Sequence, residues 1–173
     1  SLDDLRAGVA RAQAAAADAA RAASPAQRAA AQQLLQSGDA AGALAAYRAL
    51  VETDREDRES RMGVAAALAA LQRNEEAVVE FRQISADWPD FPFARIREGM
   101  LLEEAGDLAD AIAVYQAAVA IAPDNADAHF TLAYAYRRDG QRDLAIAEFQ
   151  AGLVLDPARD SARQALDGLL AAP

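Results

Sequence analysis

The sequence predicts an all-α chain of repeated helix pairs, and three observations carry that reading. Residue types recur every 34 positions, alanine supplies more than a quarter of the chain with aromatics at only 6%, and glycine and proline fall at fixed places within the period. Thin, alanine-rich helices that approach one another closely satisfy this combination, whereas a sheet would call for more β-branched and aromatic side chains. With 173 residues, 53% hydrophobic and 25% charged, the chain is long enough to bury a core.

In chain order, residues 1–23 read as one alanine-rich helix whose large apolar anchors are Leu2, Leu5 and Val9. Ser24-Pro25-Ala26-Gln27 then reads as a fresh helix start, with a capping Ser, Pro in the first turn and Gln three residues on. The period follows. Ala43, Ala77, Ala111 and Ala145 are 34 residues apart, and each is followed four residues later by an aromatic, Tyr47, Phe81, Tyr115 or Phe149. Pro89, Pro123 and Pro157 close three of the units, and Gly38, Gly106 and Gly140 occupy a column that Gln72 interrupts. Further columns hold Leu34, Leu68, Leu102 and Tyr136, and Ala31, Ala65, Gly99 and Ala133. Small columns let two helices touch, the aromatic column fills the space between pairs, glycine permits positive φ in the turn, and proline ends the second helix. The units are 24–57, 58–91, 92–125 and 126–159, and residues 160–173 read as a capping helix.

These residues resemble the tetratricopeptide repeat (TPR) family, best in 92–125 (Gly99, Leu102, Gly106, Ala111, Tyr115, Ala118, Pro123) and 126–159 (Leu132, Ala133, Tyr136, Gly140, Ala145, Phe149, Pro157). The position the family fills with Trp holds Gln27, Arg61, Arg95 and His129, and the first proline position holds Arg55. The resemblance implies a right-handed α-solenoid of four TPR-like pairs with an extra helix at each end.

Composition narrows the chemistry. Seventeen basic residues, all Arg, stand against 27 acidic ones, a net charge of −10, so a phosphate backbone is repelled and no nucleic-acid partner is expected. The absence of Cys and Lys removes thiolate, Schiff-base and P-loop chemistry, and the one His, His129, falls where the family places a packing residue. Carboxylate runs such as Glu103-Glu104 read as solvated faces, and Trp88 as a core plug or, less simply, a ligand anchor. No catalytic residue, metal site or cofactor is expected. No apolar run approaches the roughly 18 to 20 residues of a membrane span, so no membrane insertion is expected either. The chain begins at Ser1 without a leader, as a trimmed or processed protein would.

A surface remains. The resemblance implies that the first helix of each pair lines the concave side, and its stripe offers Arg28, Met62, Phe93, Ile96, Arg97, Met100, Phe130, Tyr134 and Arg138. Two readings stand for these residues: a peptide-binding groove, or packing within the array and beneath the N-terminal helix. The carboxylate clamp of chaperone-binding TPR proteins is not expected, because the matching positions carry Arg28, Gln32, Ala66, Phe93 and Arg97. The expected function is a non-enzymatic adaptor or co-chaperone that binds a peptide segment or helix. The alternatives are the TPR portion of a multidomain enzyme or membrane-anchored protein, and a scaffold that self-associates through the N-terminal helix. The Arg-only, Ala-rich composition fits a bacterial source, in cytoplasm or periplasm.

Overall fold

The computed structural model describes residues 2–171, and for residues 16–24 the backbone alone. Among the described residues there are nine helices and no strand: α1 (Leu2–Gln36), α2 (Ala40–Thr53), α3 (Arg58–Ala70), α4 (Asn74–Asp87), α5 (Pro92–Ala105), α6 (Leu108–Ile121), α7 (Ala126–Arg138), α8 (Arg142–Leu155) and α9 (Asp160–Ala171). The chain divides into two compact units, Ser1–Ala77 and Val78–Pro173.

The periodic columns are core. Ala43, Ala77, Ala111 and Ala145 are all fully buried, and so, or nearly so, are Tyr47, Phe81, Tyr115 and Phe149. Helix starts follow local chemistry. The Asp39 carboxylate accepts from Gly42 N at 2.9 Å, Asp57 from Ser60 N at 3.2 Å and Asn125 from Ala128 N at 3.1 Å, each satisfying an amide that the helix leaves free. Pro92 opens α5 in the first turn, where its missing N–H costs nothing.

In the first unit α1, α2 and α3 pack on one another. Here the sequence reading needs a correction: no new helix begins at Ser24-Pro25, because α1 runs unbroken from Leu2 to Gln36 with Pro25 inside it. The capping role expected of the Ser24 side chain lies outside the described residues. An interior proline forfeits a hydrogen bond and costs about 3 kcal/mol, but the alanines on both sides are the best helix formers available, and they carry the helix through. Tyr47 of α2 lies flat against α3, where a Cβ on Gly63 would stand 2.4 Å from its ring.

In the second unit α5 packs with α6, α7 with α8, and α6 with α7, while α9 lies on α8. Tyr115, Phe149, Leu132 and Ala133 share one core with Ala162 and Leu166 of α9. Arg142 donates from Nε and Nη2 to Leu169 O at 3.0 and 2.6 Å, which secures the last turn of α9. Gly99 of α5 has no room for a side chain, since a Cβ there would sit 2.4 Å from Tyr115 Cε1. Residues 172 and 173 of the expected capping helix lie outside the described residues.

Candidate functional site

The first-helix stripe of the second unit lies on α5 and α7, which touch each other. Phe93, in the first turn of α5, is 46% exposed, and its ring centroid is 5.3 Å from that of Phe91. One turn on, Arg97 is exposed; its Nη1 lies 3.8 Å from Met100 Sδ, and it has no carboxylate partner among the described residues. Met100 is half-buried and bridges the two apolar clusters of the unit. On α7, Tyr134 is half-buried and meets Phe149 edge-on at 4.9 Å, while the Arg137 guanidinium stands 5.0 Å over its ring. The stripe therefore presents an apolar surface with its aromatic rings held from beneath.

Two of the expected groove residues are core instead. Ile96 is 5% exposed and packs with Ala118 and Ala128. Phe130 is 2% exposed: its ring lies where a Cβ on Gly152 would come within 2.5 Å, and the Arg159 guanidinium covers it at 5.0 Å. Arg159 is itself fixed by Asp127 at 2.8 Å and Asp156 at 3.0 Å. The hydrogen bond to Asp127 above all, with that to Asp156, holds its guanidinium above the usual arginine range although burial opposes it. Glycine at 152 and arginine at 159 belong to later elements, so helical spacing on α7 alone could not reveal the burial of Phe130.

Polar groups line the far end of the stripe. Arg138 is paired with Glu103, and the Tyr115 hydroxyl donates to Glu103 Oε2 at 3.1 Å. Burial, reinforced by the Glu103 carboxylate, pushes the Tyr115 phenol far above its ordinary value, so it stays a donor. Arg138 is thereby occupied within the chain.

The other two expected residues lie in the first unit. Arg28 donates from Nη1 to Asp57 Oδ1 at 2.7 Å and lies 3.8 Å from Glu59 Oε2. Burial pushes the Asp57 carboxyl up, but hydrogen bonds from Ser60 and the Arg28 charge outweigh it and hold it below the usual range. Arg28 thus ties α1 to the start of α3. Met62, on α3, is half-buried.

His129 is buried, with Nδ1 2.7 Å from Glu148 Oε2 and Nε2 3.0 Å from Pro123 O, so both ring nitrogens are engaged inside the protein. Trp88 is half-buried at the link into α5. Among the described residues no group of three or more His, Asp or Glu is placed to hold a metal ion, and no helix is long and apolar enough to cross a membrane.

The helix-pair geometry agrees with the comparisons. A TPR repeat profile matches residues 101–140, and tetratricopeptide repeat profiles match 28–91 and 126–159. Curated protein sequences give no match. Among solved structures, MamA (residues 41 to the end) from Desulfovibrio magneticus RS-1 is 28% identical, covers 84% of this chain and 82% of its own, and superposes with a TM-score of 0.68. The thermophilic TPR protein TTC0263 of Thermus thermophilus is 22% identical over 97% of both chains, with a TM-score of 0.72, a likeness of fold. YrrB, also a TPR protein, is 18% identical over 81% of this chain and 72% of its own, with a TM-score of 0.65. Period, buried columns and matched profiles agree on the α-solenoid class, and the chain belongs to the tetratricopeptide repeat family.

Proposed function

We propose that the chain is a non-enzymatic protein-interaction module, an adaptor or co-chaperone, that holds a peptide segment or a partner helix against the α5–α7 face of its second unit. One observation carries the reading: on that face Phe93, Met100 and Tyr134 keep accessible apolar surface beside Arg97, a guanidinium without a carboxylate partner among the described residues. A peptide with apolar side chains and a carboxylate, from Asp, Glu or a chain terminus, would bury the first and pair with the second. Ile96 and Phe130 support the face from beneath, and Arg138 stays with Glu103. His129, satisfied on both nitrogens, supports packing over catalysis.

Modules of this size bind at micromolar strength, about −8 kcal/mol, and truncating a central aromatic removes about 1–3 kcal/mol. The test is affinity capture from a lysate of the source organism with the parent, Tyr134→Ala and Met100→Glu, followed by calorimetry on whatever partner is recovered. Both variants should lose the partner while keeping the parent's helical circular dichroism at the temperature of capture, with a melting temperature lowered by the packing each removes. Equal recovery by all three proteins would remove the α5–α7 face as the binding surface.

A further inference from the structure

We propose that the N-terminal arm of α1 docks into the groove between α1 and α2 of a second copy of the chain. The groove lies in the first unit, so the proposal is independent of the α5–α7 face. It is an open cleft of about 340 Å³ lined by Ala30, Leu34, Ala46, Ala49 and Leu50, with Gln27 and Thr53 as its polar members. Its alanines let another helix approach closely, and Leu34 and Leu50 give that helix apolar surface to cover.

The occupant is indicated by the same chain. Residues 2–15 are helical and exposed throughout, and Leu2 and Leu5 at 70% and Val9 at 53% exposure share one stripe at i, i+3 and i+7. A single helix of this length is marginal in water without something to pack on. The arm cannot reach its own groove while α1 is continuous, because at 1.5 Å per residue Leu5 lies roughly 30 Å along the same helix from Gln27. The groove of another copy has no such constraint. Charge agrees: residues 2–23 hold three Asp and three Arg and are neutral, while the whole chain is −10, so the arm is a segment that two copies can bring together without the repulsion felt elsewhere.

The chain contains no Cys, which allows a direct test. Leu5→Cys and Ala49→Cys proteins carrying different tags are mixed and oxidised, and the cysteine-free parent is followed by sedimentation from micromolar to several hundred micromolar. The expected results are a disulfide joining the two tagged chains and an apparent mass that rises to at least twice the monomer with concentration. Leu5→Glu with Val9→Glu, at positions already exposed and so harmless to folding, should weaken association at least tenfold, and Ala49→Glu should do the same from the groove side. A monomer at every concentration would overturn the proposal, as would association that survives both variants. A chain carrying both cysteines that closes only on itself at high dilution would also overturn it, by showing that α1 breaks at Ser24-Pro25 and the arm covers its own groove.

Discussion

The two units solve the same structural problems by different means. In the second unit the turns between paired helices close on Gly106 and Gly140, at φ of 93° and 77°, and the entries to α5 and α7 use Pro92 and the neutral cap Asn125. In the first unit Gly38 closes one turn at φ of 90°, but the matching position at Gln72 takes φ of 60° with a full side chain, and α3 is capped by Asp57, a buried carboxylate bound to Ser60 and Arg28. The units therefore differ at two points: Gln72 accepts backbone strain where the other turns have glycine, and Asp57 enters α3 through a charged hydrogen-bonded pair where α7 uses a neutral cap.

The largest expected effects test what the units share. Phe149→Ala and Tyr47→Ala each remove a buried aromatic from the same column, and each should cost about 3–5 kcal/mol in chemical denaturation. A cost below about 1 kcal/mol at either position would mean that the column is not the common core of the repeats.

Next comes the small column, where the units differ. Ala65 and Gly99 are equivalent by the period, yet a Cβ at 99 would stand 2.4 Å from Tyr115. Gly99→Ala should therefore destabilise by about 1–3 kcal/mol through overpacking, despite the better helix propensity of alanine. Ala65→Gly should cost about 1 kcal/mol through backbone entropy and a lost methyl. If Gly99→Ala stabilises the protein, the glycine is there by chance and the close contact with Tyr115 is dispensable.

The polar entry to α3 predicts a pH response that the entry to α7 lacks. Because the Asp57 carboxyl is held below its unfolded value, its contribution is complete above about pH 4 and is lost as pH falls through the lower folded value. Asp57→Asn keeps a capping side chain but loses the charged pair with Arg28, so at pH 7 it should cost about 1–3 kcal/mol. Melting curves of parent and variant should keep a constant separation above about pH 4 and converge as pH falls below it. A gap that stays constant as pH falls well below about 4 would show that the pair contributes nothing through charge.

What the sequence reveals follows from the range of each interaction. The buried columns are legible because the helix pair repeats and equivalent positions face similar surroundings, while the closeness of Tyr115 that keeps position 99 a glycine shows only in the fold. The surface stripe is only partly so. Spacing on α7 places Phe130 and Tyr134 on one face, but what covers Phe130 is Gly152 and Arg159, contributed by α8 and by the link that follows it. The capping signal at Ser24-Pro25 reads as a helix start, because a local motif carries no measure of how strongly the alanines around it hold the helix together. Arg28 is open to a ligand as far as its own helix goes, and only the fold, through α3, brings Asp57 to it.

The smallest expected effect isolates the strained turn. Gln72 stands in the column of Gly38, Gly106 and Gly140, and its left-handed backbone costs a non-glycine residue roughly 1–2 kcal/mol. Gln72→Gly removes that strain but gives the unfolded chain more freedom to lose, a penalty of about 0.5–1 kcal/mol, so the net gain should be about 0.5–1 kcal/mol. The hydrogen bond from Arg73 N to Leu68 O at 3.0 Å closes the turn without using the Gln72 side chain, which is exposed, so the substitution breaks no contact of the fold. Gly106→Gln reverses the experiment in the second unit and should cost about the same amount. A small rise in melting temperature for the first variant and a matching fall for the second would show that the units differ here by one residue's conformational preference. If Gln72→Gly destabilises instead, the glutamine contributes more to that turn than its backbone strain costs.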